Sequence, residues 1–152
     1  MTAPVMMWFR NDLRLHDNPA LLAAAAAGSP IIPVYILDDA VPDGWGLGGA
    51  SRWWLHHSLA SLDHGLRALG SRLILRRGAP VAVLQELAAS AGARAVHFTR
   101  AYEPHAAALE QHLKTACAQT GIAIRRFAGA LLIEPEALAN RSGDPFRVFT
   151  PF

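Results

Sequence analysis

The chain has 152 residues, which suits one domain whose folding buries on the order of 70% of its unfolded surface. With 52% hydrophobic and 17% charged residues, composition excludes a disordered chain. The net charge of +2 comes from thirteen scattered arginines and one lysine against twelve acids, which excludes a concentrated nucleic-acid footprint.

In chain order, the apolar run Val5 to Phe9 reads as a buried first strand. It breaks at once into a charged turn carrying Arg10, Asn11, Asp12, Arg14, His16 and Asp17. Asn18 followed by Pro19 is a helix start: a capping side chain, then a proline suited to the first helical position. Helix one runs from Pro19 to about Ala27. Its apolar run is far too short for a membrane span, and Met1 to Met7 lacks the basic region of a secretory signal. A soluble cytoplasmic protein with no membrane partner is expected. Strand two is Ile31 to Leu37, with Pro33 near its start. A Gly/Pro-rich loop, Asp38 to Ala50, precedes helix two, Ser51 to Leu69. Strand three is Leu73 to Arg76. Helix three runs from Pro80 to just before Gly92, and strand four is Ala95 to Thr99. Helix four runs from Pro104 to Gln119, and strand five is Ile122 to Phe127. Glycines at 28, 70, 92 and 121 stand where helices need a left-handed cap.

This alternation predicts an α/β fold: a doubly wound, Rossmann-like, five-stranded parallel sheet with helices on both faces. Right-handed crossovers make 3-2-1-4-5 the expected strand order. That order reverses between strands one and four, so a ligand crevice is expected at their carboxyl ends. Residues 1–130 form the domain. After them Phe146, Val148, Phe149 and Phe152 call for burial that the chain does not supply. Residues 131–152 therefore read as the start of an interdomain connection.

The crevice should collect Arg10, Asn11 and Asp12 from the first loop, Asp38 from the second, and Arg100 to Glu103 from the fourth. Arg52 lies on the same side of the sheet. These groups suit a planar heteroaromatic ligand, with apolar surface from Ile36, Leu37 and Tyr102. No catalytic residue and no metal ligand set is assigned. The glycines from Gly44 to Gly49 do not directly follow a strand and lack a phosphate-loop lysine, and no G-x-S-x-G elbow occurs. His56, His57 and His64 share a helix without a cysteine or paired carboxylate at ligand spacing, so they are expected in solvent or at an interface rather than as metal ligands. Cys117 is expected as a small core residue. Leu55, Leu59, Leu62, Leu66 and Leu69 form the stripe of helix two that should face the sheet. Trp53 and Trp54 point away from that stripe. Either the 38–50 loop folds over one of them, or they form an interface and a route to self-association.

The opening, W-F-R-N-D-L-R-L-H-D-N at Trp8 to Asn18, resembles the photolyase/cryptochrome family. So do Y-I-L-D at Tyr35 to Asp38, S-R-W-W-L-H-H-S-L at Ser51 to Leu59, Y-E-P at Tyr102 to Pro104, and G-D-P-F-R-V-F-T-P-F at Gly143 to Phe152. The resemblance spans essentially the whole chain. It implies the N-terminal, light-harvesting domain of a DNA photolyase, which binds an antenna chromophore: a folate, a flavin or a deazaflavin. The parent would be a carbon–carbon lyase that repairs cyclobutane pyrimidine dimers in blue light. Its FAD and its damaged DNA would be held by a separate helical domain, so this chain alone would not be catalytic. The antenna positions that carry over are Arg10, Asn11, Ile36, Leu37, Asp38, Arg52, Ala101, Tyr102 and Glu103. Arg10, Asp12 and Arg14 match the family motif and are expected to hold the turn. Deazaflavin-type members usually have arginine where Asn11 stands and an acid near Ala101, which disfavours a deazaflavin and leaves an empty pocket as an alternative. A cryptochrome-type photoreceptor without repair activity is the competing reading. A universal-stress-type nucleotide binder would need a glycine-rich loop after strand four, and Thr99 to Pro104 contains no glycine.

Overall fold

The computed structural model describes residues 2–39, 46–139 and 143–144, so the expected burial of Phe146, Val148, Phe149 and Phe152 lies outside the described residues. Strands β1 (Val5–Phe9), β2 (Ile31–Leu37), β3 (Ile74–Arg77), β4 (Ala95–Thr99) and β5 (Ala123–Phe127) alternate with helices α1 (Pro19–Ala26), α2 (Gly49–Ala68), α3 (Pro80–Ala91) and α4 (Pro104–Ala118). The five strands are parallel and ordered β3-β2-β1-β4-β5, as expected. Val5 of the central strand stands beside Ile31 of β2 and Ala95 of β4.

The run V-M-M-W-F shows no polar alternation because β1 is buried on both faces. Met6 and Trp8 point into a core with Val34, Val96, Phe98, Leu84 of α3 and Leu113 of α4. Met7 and Phe9 point the other way, against Ala20 of α1 and Leu62 and Leu66 of α2. Cys117 is fully buried in the first of these cores. The edge strands β3 and β5 are short and carry Arg76, Arg77, Arg125 and Arg126, which discourages pairing with another chain.

Two local devices aim the first turn at the crevice. The Asn18 side chain accepts from Leu21 N at 3.1 Å, and Pro19 opens α1, as the Asn-Pro pair predicted. Gly65 lets α2 approach that turn closely: a Cβ there would stand 2.9 Å from Leu15 Cδ1. Gly28, Gly70, Gly92 and Gly121 all have positive φ at the ends of their helices.

Leu69 corrects the expected stripe of α2. It is 73% exposed, whereas Leu62 and Leu66 are 4% exposed and Leu55 and Leu59 half-buried. The helix stops at Ala68, and Leu69 leaves its periodicity in the turn towards Gly70.

Candidate functional site

The carboxyl ends of β1 and β4 are neighbours whose chains leave in different directions, and the charged turn after β1 occupies the gap. Asp12 is its hub. Only 7% exposed, it accepts from Arg10 N at 3.0 Å through Oδ1. Through Oδ2 it accepts from Asn18 Nδ2 at 3.1 Å and Thr99 Oγ1 at 2.6 Å. Arg14 closes the outer side, donating to Asp17 O at 3.0 Å and to Gly129 O at 2.9 Å. Asp17 holds a φ of 48°, a left-handed conformation that aspartate tolerates better than most residues. Asp12 and Arg14 thus hold the turn, as expected of them.

Arg10 has a second fastening that the local sequence did not reveal. Its guanidinium donates to Glu110 of α4 at 2.6 Å and lies 4.8 Å from the centre of the Trp8 ring. Glu110, 6% exposed, also accepts from Ala101 N at 3.1 Å and Arg126 Nη1 at 3.3 Å. One buried carboxylate therefore joins β1, the loop after β4, and β5. In the sequence it is one acid within a helical pattern, and its partner Arg10 lies a hundred residues away.

Most of the candidate site residues meet at one cavity of about 400 Å³. Arg10 and Asn11 line it from the first loop, Ile36, Leu37 and Asp38 from the end of β2, and Ala101 and Glu103 from the loop after β4. Leu109 of α4 adds apolar wall. Asn11 Nδ2 makes a long contact, 3.4 Å, to Glu103 Oε1 across the opening. The carboxylates of Asp38 and Glu103 accept hydrogen bonds, the Asn11 amide both donates and accepts, and Arg10 is already committed to Glu110. Such walls suit a planar heterocycle presenting N–H donors better than a phosphate group.

Tyr102 and Arg52 do not line this cavity, although the hollow that Tyr102 does line shares Arg10, Asn11, Ala101 and Glu103 with it. Tyr102 lines a neighbouring hollow of about 440 Å³ together with Arg14, Arg100 and Ala130. Arg52, exposed at the start of α2, donates to Leu47 O at 2.9 Å and to Asp39 at 3.1 Å. Hydrogen bonds from Arg52 and Arg77 hold the Asp39 carboxyl below its ordinary pKa.

A second ionic group binds the chain after β5 to the rim of the crevice. Arg100 donates to Glu134 at 2.7 Å and to Glu136 at 2.6 Å, and its guanidinium lies 4.8 Å from the centre of the Tyr102 ring. The Tyr102 hydroxyl donates to Glu134 Oε1 at 2.6 Å. Hydrogen bonding from Arg100 lowers Glu136 to about 2, while bonding to Glu134 pushes the Tyr102 hydroxyl up. Neither acid was foreseen. The only trace of them in the sequence is a pair of glutamates flanking Pro135 soon after the last strand.

Among the described residues no cluster of three metal-ligating side chains occurs, and no helix is long and apolar enough to cross a membrane. His56, His57 and His64 are exposed on α2. Trp53 and Trp54 are 63% and 70% exposed, and Trp54 borders an open hollow with Leu47 and Tyr35. Residues 40–45 of the loop expected to cover one of these tryptophans lie outside the described residues.

Comparison with known proteins places this architecture. Residues 5–152 match the profile of the family described as DNA photolyase. The chain is 48% identical over 151 residues to a deoxyribodipyrimidine photo-lyase of Agrobacterium fabrum, covering 99% of this chain and 31% of that protein. It is 40% identical over 148 residues to Cryptochrome-1 of Arabidopsis thaliana, covering 97% of this chain and 22% of that one. The crystal structure of a bacterial class III photolyase from Agrobacterium tumefaciens superposes with a TM-score of 0.91 at 47% identity, over 99% of this chain and 31% of that chain. An archaeal photolyase from Sulfolobus tokodaii, whose structure contains two FAD molecules and implies a novel light-harvesting cofactor, gives a TM-score of 0.81 at 26% identity, over 91% of this chain and 32% of that chain. The chain spans about a third of the length of these photolyases.

Proposed function

The chain belongs to the DNA photolyase family, and from that premise we propose that it is the light-harvesting domain of a photolyase that repairs cyclobutane pyrimidine dimers in blue light. The observation that carries this reading is the cavity of about 400 Å³ at the reversal of strand order, where an open α/β sheet places its ligand. Residues 1–130 form the pigment-holding unit, and 131–152 begin the connection to a helical domain that holds FAD and the damaged DNA. FAD held there would supply the photoexcited electron that splits the dimer and would take it back afterwards.

This chain's own residues position a pigment. Ile36, Leu37 and Leu109 provide apolar wall for a ring system, while Asp38, Glu103 and Asn11 fix its orientation by hydrogen bonds. The buried Arg10–Glu110 pair and the Asp12 hub keep those walls in place. Fixed orientation matters because energy transfer to a distant flavin depends on the angle between the two chromophores as well as their separation. A folate or a flavin is the expected pigment. A deazaflavin is disfavoured, because Asn11 and Ala101 stand where deazaflavin binders usually have an arginine and an acid. Greater identity to the Agrobacterium photolyase than to the Arabidopsis cryptochrome favours repair over signalling.

Absorbance of the purified protein tests the reading. A near-ultraviolet or blue band should co-purify, or appear on adding a folate or flavin, and Glu103→Gln should weaken binding about ten-fold for the loss of one charge-assisted hydrogen bond. Failure of folates, flavins and deazaflavins alike to bind would refute it.

A further inference from the structure

Residues 131–133 are firmly anchored and yet bare. Before them, Arg14 Nη2 donates to Gly129 O at 2.9 Å. After them, Arg100 and Tyr102 grip Glu134 at 2.7 and 2.6 Å. Between the anchors Leu131, Leu132 and Ile133 are 45%, 105% and 53% exposed. A loose apolar loop relieves its exposure by folding back onto its own domain. This one is held outward at both ends, and among the described residues nothing buries it, which marks it as a contact surface.

Its position says what covers it. Ala130, the neighbouring residue, lines the hollow of about 440 Å³ beside the pigment cavity, together with Arg100 and Tyr102. The segment leaves β5, the last strand described, on the path towards whatever follows the α/β domain. In both Agrobacterium photolyases the greater part of the polypeptide lies outside the match, since this chain covers 31% of each. We propose that Leu131–Leu132–Ile133 is a docking knob that seats in an apolar socket on the further domain of the same polypeptide, and that the docked surface roofs the 440 Å³ hollow. This rests on the reading of the chain as the α/β domain of a longer photolyase. It adds a mechanical element: Arg100, Tyr102, Glu134 and Glu136 set the height and angle of the knob, and so fix the pigment domain against its neighbour.

The test uses the complete reading frame that encodes this chain, with hydrogen exchange followed on the peptide spanning residues 130–136. Amides of residues 131–133 should exchange at least about ten-fold more slowly in the complete protein than in the 152-residue chain. Leu132→Asp should abolish that protection and raise proteolysis between the domains by about ten-fold, because docking then no longer suppresses the open state. The melting temperature of the α/β domain should not move, since Leu132 makes no buried contact within it. Equal exchange in the two proteins, or a reading frame that stops at Phe152, overturns the proposal. So does a concentration-dependent dimer that Leu132→Asp dissolves, which would make a second copy the occupant. Pigment binding measured on the same samples separates the two readings. Pigment without protection refutes the knob alone, and protection without pigment refutes only the light-harvesting role.

Discussion

The two ends of the crevice use the same residue types in opposite ways. Below β1 and β4, Arg10, Asp12 and Glu110 are withdrawn from water and bonded to backbone or to one another. Beyond β2 and β3, Arg52, Asp39 and Arg77 form a bridge in solvent, next to a helix that leaves two tryptophans bare. The first arrangement specifies geometry, because each buried charge has one satisfactory position. The second specifies little, because water competes for every contact. A cavity with a wall fixed by buried charge can hold one edge of a ligand firmly, whereas the solvated bridge, which does not line that cavity, imposes no such geometry.

The contrast can be broken most severely at Asp12. Asp12→Ala removes the acceptor of the Thr99 hydroxyl and of Arg10 N and one of the acceptors of the Asn18 amide, which keeps Arg14 O, and should cost roughly 3–5 kcal/mol in urea unfolding. A loss below about 1 kcal/mol would mean that water replaces the carboxylate and that the hub is not structural. Glu110→Leu strands the Arg10 guanidinium beside Trp8 and should cost about 3 kcal/mol. It should also shift the near-ultraviolet circular dichroism of that tryptophan.

His97 sharpens the comparison through pH. It is 2% exposed on β4, its ring centre lies 5.1 Å from that of Phe127, and its Nδ1 has no hydrogen-bond partner among the described residues. Burial pushes its pKa down, a hydrogen bond from the ring to the Ala20 backbone opposes this, and Arg125 adds to the lowering. A base with a depressed folded-state pKa leaves stability unchanged where both states are neutral. Below about pH 6.5, the ordinary histidine value, the unfolded chain takes up a proton that the folded chain refuses, so stability falls. The melting temperature should drop between pH 7.5 and pH 5.5, and His97→Gln should flatten that dependence. An unchanged slope in the variant would assign the acid sensitivity to another group.

Smaller effects belong to the solvated side. The double substitution Trp53→Gln and Trp54→Gln should change stability by no more than about 0.5 kcal/mol per site while reducing self-association. A large drop in melting temperature would show that these rings are covered in solution. Asp39→Asn should leave the urea midpoint unmoved, because both its arginine partners are exposed to water. A measurable shift there would erase the distinction between the two ends of the crevice.

Legibility in the sequence followed the range of the interactions. The turn after β1 was readable because its parts are close together: the Asn18 cap, Pro19 and the charges from Arg10 to Asp17 act within a few residues. The convergence of Asn11, Asp38 and Glu103 was readable through topology, since alternating strands and helices with right-handed crossovers leave one crevice. Glu110 was not, because its role depends on a partner a hundred residues away, and local periodicity treats it as one more acid on a helix. Glu134 and Glu136 escaped for the same reason. Leu69 misled because periodicity cannot say where a helix stops facing the sheet.

The order of apolar runs, caps and helix-ending glycines was enough by itself to determine a doubly wound sheet and the end of it that carries the site. Those signals act over a few residues, and right-handed chirality converts them into a topology. Only the tertiary structure decided which charges are buried partners, which lie in solvent, and that Leu131 to Ile133 stand outward between two anchors. The worth of a charge or a leucine depends on the water left around it, and that is settled only when distant segments meet.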